Sequence, residues 1–154
     1  MFIDTQQKNN VISEHDREMM RLAAELAEQN VDNNGGPFGA VITRDGKVVA
    51  TGVNTVTKTN DPTAHAEVNA IRNACRDLDT FSLKCCVVYS SCEPCPMCLS
   101  ALYWAGVSKI YYGNTQEDAD NIDFSDKFMY RELEKKKEDR SIPTIHMTNG
   151  FTIR

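Results

Sequence analysis

Two short blocks, thirty positions apart, set the strictest condition on how this chain folds. The first is Pro62-Thr63-Ala64-His65-Ala66-Glu67 and the second is Pro94-Cys95-Pro96-Met97-Cys98. Together they supply an imidazole, a carboxylate and two thiols. A lone histidine is more often a structural residue than a ligand, but one answered by a Cys-x-x-Cys pair offers the donors that zinc prefers. Zinc takes nitrogen and sulfur ligands in a tetrahedron, and a catalytic zinc keeps its fourth position open for water. His65, Cys95 and Cys98 fill three positions, so the fold has to bring the two blocks together. Glu67 stands two residues from His65, about 200° around a helix, and is poorly placed to close the site as a fourth ligand. It is placed to act as acid and base beside the water.

The length of 154 residues fits one domain over 1–154, large enough to bury a core without disulfide staples. No apolar run approaches membrane-spanning length, and the first residues lack a basic-then-apolar leader. The expected compartment is therefore the cytoplasm, with no membrane partner. A net charge of −5 argues against a broad nucleic-acid footprint, which needs clustered Lys and Arg. Four of the six cysteines, Cys85, Cys86, Cys92 and Cys95, crowd into eleven residues. In a reducing compartment such crowding indicates metal binding or core packing rather than disulfides. Cys75, Cys85, Cys86 and Cys92 are expected as small buried hydrophobes. A closed structural zinc site is the competing reading, with Cys92 as the fourth ligand.

Along the chain, residues 1–11 are polar and expected to be loose. Ser13 and Asp16 resemble a capping box ahead of a helix over 14–29, whose apolar positions Met19, Leu22, Ala23, Leu26 and Ala27 recur at helical spacing. Two β-type runs over 38–43 and 47–54 flank Asp45-Gly46, a strong hairpin signal. A polar loop over 55–61 follows, then a second helix over 64–76 that Thr63 is suited to cap. The run over 85–90 is nearly continuous in apolar residues, as in a strand buried on both faces. The spacing then predicts a helix over 95–105 ended by Gly106, a strand over 109–112, an acidic loop over 116–124, a helix over 126–137 and a fifth strand over 144–147. Helices between the later strands require crossovers. The economical architecture is α/β: a five-stranded mixed sheet with helices on both faces, its third and fourth strands parallel.

With these residues in view, the sequence resembles the cytidine deaminase superfamily, in the branch that holds guanine deaminases and tRNA adenosine deaminases. The pattern H-x-E with P-C-x-x-C is the zinc deaminase signature. The resemblance runs from about Ser13 to Pro143. It is carried by Gly35-Gly36-Pro37-Phe38-Gly39-Ala40-Val41-Ile42, by Asn60-Asp61 ahead of the first block, by Ser91-Cys92-Glu93 ahead of the second, and by Ala101-Leu102-Tyr103-Trp104-Ala105. Asp123-Phe124-Ser125-Asp126-Lys127-Phe128, with Tyr103-Trp104, favours the guanine branch.

The resemblance implies a three-layer α/β/α fold and one zinc per subunit, held by His65, Cys95 and Cys98. It implies hydrolytic deamination, with Glu67 taking the water proton and delivering protons to the ring nitrogen and the departing amine. It implies base contacts at Asn54, Phe38, Ala66 and Asp126, the last accepting from guanine N1–H and the 2-amino group. For Asn54 the bland alternative is turn chemistry, for Phe38 core packing, and for Asp126 a helix N-cap. A homodimer is also implied, with C-terminal elements exchanged between subunits. In this branch a longer aromatic tail closes the partner's pocket, whereas eleven residues follow Pro143 here and none matches it. Guanine is the expected substrate. Isocytosine, cytosine, guanosine and tRNA adenosine stand as alternatives, as does a non-catalytic zinc protein.

Overall fold

The computed structural model describes residues 11–121, 125–148 and 150. Of the N-terminal stretch expected to be loose, all but Val11 lies outside the described residues. Helix α1 (Glu14–Asp32) starts on a reciprocal cap: Ser13 Oγ accepts from Asp16 N at 3.0 Å, and Asp16 Oδ2 accepts from Ser13 N at 2.9 Å. Strands β1 (Gly39–Arg44) and β2 (Lys47–Val53) form an antiparallel hairpin. Its turn residues Asp45 and Gly46 both take positive φ, 52° and 77°, as a type I′ turn requires.

Strand β3 (Cys86–Cys92) pairs antiparallel with β1, and β4 (Lys109–Asn114) pairs parallel with β3. A parallel pair needs a crossover, and helix α4 (Pro96–Ala105) supplies it. The sheet order is β2-β1-β3-β4. Side chains alternate across it. Val41 and Tyr89 pack under α1 with Ala23, Met19 and Leu26. Ala40, Ile42 and Val88 pack on the other face with Ala66, Ala70 and Ala74 of helix α3 (Ala66–Leu78) and Leu102 of α4. Because β3 lies inside the sheet and is covered on both sides, its residues read as one apolar run.

The expected mixed sheet between helical layers is present, with four strands rather than five among the described residues. Residues 144–147 form no strand, and Ile145 and Met147 are exposed. A β-type composition describes fitness for a pleated, half-buried surface, and this segment has no such surface beneath it. Two stretches expected as loops contain short helices instead, α2 (Val56–Thr59) and α5 (Gln116–Asn121). Apolar periodicity does not reveal helices of one turn or so. The helix expected over 126–137 is shorter, α6 (Lys127–Glu134), with a 3₁₀ turn at Lys137–Asp139. Three adjacent lysines at 135–137 lie beyond its end. Cys86 and Cys92 are buried and Cys75 is half-buried as small core residues, but Cys85 is exposed at φ 68°, in the turn that enters β3.

Candidate active site

Each of the two blocks enters the site at a helix start. His65 is the N-cap of α3 and Cys95 is the N-cap of α4. The expected Thr63 cap does not form: Thr63 Oγ1 instead donates to Asp61 Oδ1 at 2.6 Å and tightens the loop ahead of α3. Cys95 Sγ accepts from Cys98 N at 3.5 Å, as an N-cap side chain does, and Pro96 occupies the first helical position. The partial positive charge of a helix N-terminus favours thiolate there.

His65 Nδ1 lies 3.6 Å from Cys95 Sγ and 3.4 Å from Cys98 Sγ. A tetrahedral zinc with ordinary bond lengths sets nitrogen and sulfur ligands about 3.5 Å apart. The three donors therefore fit that ion. The Cys98 thiol, and next the His65 ring, hydrogen-bond Cys95 and lower its pKa to about 4. The same Cys95–Cys98 bond, together with burial, pushes the Cys98 thiol upward. Its hydrogen bond to Cys95 raises the His65 imidazole. Among the described residues, His65, Cys95 and Cys98 form the one group of three donors suited to a metal, and Cys92 is outside it. The Cys92 thiol donates instead to Thr115 O, and burial raises it to about 11; the described residues bring three donors together, not the four of a closed site.

Beside this triad lies a cavity of about 190 Å³. Its wall includes His65, Cys95, Glu67, Phe38, Asn54 and Asp126. Glu67 is only 6% exposed, and burial raises its carboxyl above the usual range. Asn54 Oδ1 accepts from Val56 N at 3.1 Å, which leaves the two N–H groups of its Nδ2 to donate. Phe38 combines the two roles weighed for it, packing against the core and lining the cavity. Asp126 stands at the N-cap of α6, yet its side chain makes no capping bond. Oδ1 of Asp126 is buried and without a hydrogen-bond partner among the described residues. Ala66 is not in the cavity wall; its methyl is fully buried in the core.

Sequence reasoning did not single out Glu93, Gln116 or Met129, which line the same cavity. Glu93 accepts from Gln116 N at 3.1 Å and from Gln116 Nε2 at 3.2 Å, tying the start of α5 to the second block. A charged residue immediately ahead of that block was a signal for Glu93. The other two carried none.

Residues 13–114 match the cytidine and deoxycytidylate deaminase zinc-binding region. The chain belongs to this family. As a member, it is a zinc-dependent deaminase, and His65, Cys95 and Cys98 are the family's zinc-binding triad. Guanine deaminase of Bacillus subtilis (strain 168) is 49% identical over 130 residues, which cover 84% of this chain and 83% of that one. The crystal structure of that enzyme superposes with a TM-score of 0.85 at 47% identity, over 87% of this chain and 86% of the other. The tRNA-specific adenosine deaminase of Aquifex aeolicus (strain VF5) is 37% identical over 93 residues, 60% of this chain and 62% of its own length. A solved relative in complex with 2,6-diaminopurine gives a TM-score of 0.70 at 29% identity, covering 82% of this chain and 72% of that one.

Proposed function

We propose that this deaminase hydrolyses guanine to xanthine and ammonia. The observation that carries the reading is the cavity itself, where the triad and a buried Glu67 meet Asn54 and Asp126, whose Oδ1 has no partner among the described residues. Zinc, when held by His65, Cys95 and Cys98, supplies the Lewis acidity that makes water nucleophilic near neutral pH. Glu67 takes one proton of the water that adds to C2 of the base and delivers it to the neighbouring ring nitrogen; it then carries the proton of the new hydroxyl to the amino group, which leaves as ammonia while the C2 carbonyl forms. Burial suits this work, because a carboxylate whose pKa is held above its usual range takes up the water proton more readily than an exposed one. The ring packs beside Phe38. The Asn54 Nδ2 group donates to an acceptor edge of the base, and Asp126 accepts from N1–H and the 2-amino group. Adenine offers no N1–H, so the Asp126 contact favours guanine. Ala66, outside the cavity wall, contributes through its backbone at the start of α3.

The similarity to guanine deaminase and the purine bound by a solved relative support the same substrate class. A panel of guanine, isocytosine, adenine, cytosine, guanosine and cytidine, read by ammonia release from zinc-loaded protein, tests it. Guanine is expected to be turned over fastest; no release from guanine overturns the substrate assignment.

The working form is a homodimer. Phe81, Tyr103 and Trp104 expose aromatic surface, and Ile142, Ile145 and Met147 expose an apolar C-terminal segment suited to exchange between subunits. Light scattering on the purified protein tests this. No helix among the described residues is long and apolar enough to cross a membrane. A cytoplasmic setting, where thiols stay reduced, keeps Cys95 and Cys98 available as ligands.

A further inference from the structure

We infer that Asn69 is a positioning residue that holds Asn54 in place for the base and ties it to the segment carrying His65. Asn69 lies on the first turn of α3, where its backbone N–H bonds to His65 O at 2.9 Å. Its Nδ2 reaches out of the helix to three acceptors: Val53 O at 2.7 Å, Thr55 Oγ1 at 2.9 Å and Ala64 O at 3.3 Å. Val53 and Thr55 are the residues on either side of Asn54, and Ala64 immediately precedes His65. One amide group therefore joins the base-contact segment to the metal-ligand segment. Thr55 N also donates to Ala64 O at 2.9 Å, which closes the same small circuit through the backbone. On its far side Asn54 is held by Asn30, whose Nδ2 donates to Asn54 O and to Gly36 O, each at 2.8 Å.

The two shortest bonds of Asn69 flank Asn54, whereas Ala64 O keeps its bond from Thr55 when the Asn69 amide is removed. Loss of Asn69 therefore falls on Asn54 first and on zinc least. Its neighbour one turn along α3 provides an internal control. Asn73 Nδ2 donates to Thr51 O at 2.8 Å, a comparable bond to β2 that is farther from the cavity. If such bonds served only to secure the strand, the two asparagines would be equivalent.

The inference rests on the reading of Asn54 as a base contact, so the experiment is a double-mutant cycle. N69A, N54A and the double variant are compared with N73A, all loaded with zinc. The readouts are metal content, thermal midpoint, KM and kcat for guanine, and Kd for 8-azaguanine by calorimetry. N69A is expected to raise KM and Kd by about tenfold, with kcat within about threefold and full zinc content. In the N54A background the same change is expected to cost less than about threefold. N73A is expected to lower the thermal midpoint and leave KM alone. If N69A does not fold, N69D takes its place, since it keeps the shape and removes the donor. Independent, multiplicative effects of N69A and N54A overturn the inference, as does N69A behaving like N73A. A wild-type level of binding in N54A overturns the base-contact reading and this inference with it. Wild-type protein that fails to bind 8-azaguanine overturns the guanine assignment at the first measurement.

Discussion

Gly52 of β2 lies directly against the backbone of Ala66: a Cβ at Gly52 would collide with the Ala66 carbonyl oxygen and the Ala70 amide nitrogen. Backbone cannot yield as a flexible side chain does, so any larger residue here has to displace the start of α3. That turn carries His65 as its N-cap and Glu67 two residues later. G52A is expected to cost about 2 kcal/mol by overpacking, a fall of roughly 4–8 °C in the thermal midpoint. Turnover should fall by more than the lost stability explains, because the displaced turn holds a ligand. Thermal unfolding and ammonia release on the same preparation measure both effects. A variant with normal stability and activity would show that α3 can move without consequence.

Glu67 is expected to be required for turnover and dispensable for metal. E67Q keeps the size of the side chain and removes proton transfer, which contributes about 100- to 10,000-fold in general acid–base catalysis. The expected result is that loss in kcat with one zinc per chain retained, measured by ammonia release and metal analysis. A variant that has lost its zinc would instead place Glu67 among the ligands. An active variant would remove it from the proton path.

Much of this arrangement is legible in the sequence because it depends on local signals. Ser13 and Asp16 announce α1, Asp45-Gly46 announces the hairpin, and the spacing of His65, Cys95 and Cys98 announces the metal site. Signals fail where the controlling interaction is short or distant. Helix α5 has six residues and almost no apolar periodicity. Its start is nonetheless marked by Thr115 and Asp118, whose side chains accept from each other's backbone N–H at 3.2 and 2.9 Å. That is a capping box with aspartate at the third position. By contrast, no local pattern marks Asn69 or Asn30, since their partners lie in other segments of the chain. The strand expected over 144–147 fails for a related reason. Composition makes those residues suited to a sheet, but only a partner edge makes them a strand.

Stability at low pH is expected to depend on the pair Asp16 and Tyr89. Tyr89 donates from its buried phenol to Asp16 Oδ1 at 2.6 Å, joining the cap of α1 to β3. Burial alone would raise the Asp16 carboxyl, but bonds from Tyr89 and then Ser13 outweigh it and hold the carboxyl below its ordinary value. A carboxyl depressed in the native state adds stability above its unfolded pKa, and that contribution is lost as pH falls through the native pKa. Y89F removes the phenol and keeps the Ser13 cap. It should cost about 1 kcal/mol at neutral pH, and the difference from wild type should begin to shrink as pH falls below the ordinary carboxyl value and vanish only below the depressed native one. Urea unfolding across that range measures it. A difference that stays constant with pH would assign the cost to packing rather than to the charged bond.

Asp126 offers the sharpest test of the cavity, because its two readings predict opposite signs. Its side chain makes no cap bond to α6, its Oδ1 has no partner among the described residues, and burial raises its carboxyl. A buried acceptor without a partner costs about 1–3 kcal/mol. Such a cost is consistent with a ligand that satisfies the group when bound. D126N keeps the shape, replaces an acceptor with a donor and relieves the buried charge. Without base present, its thermal midpoint is expected to equal or exceed that of wild type, whereas removing a working N-cap costs about 1 kcal/mol. With guanine, KM is expected to rise by about 10- to 100-fold, the worth of one charge-assisted hydrogen bond. Opposite movement of stability and affinity is the signature of a side chain kept for the substrate. If both fall together, Asp126 is a structural residue of α6 and the base is read elsewhere in the cavity.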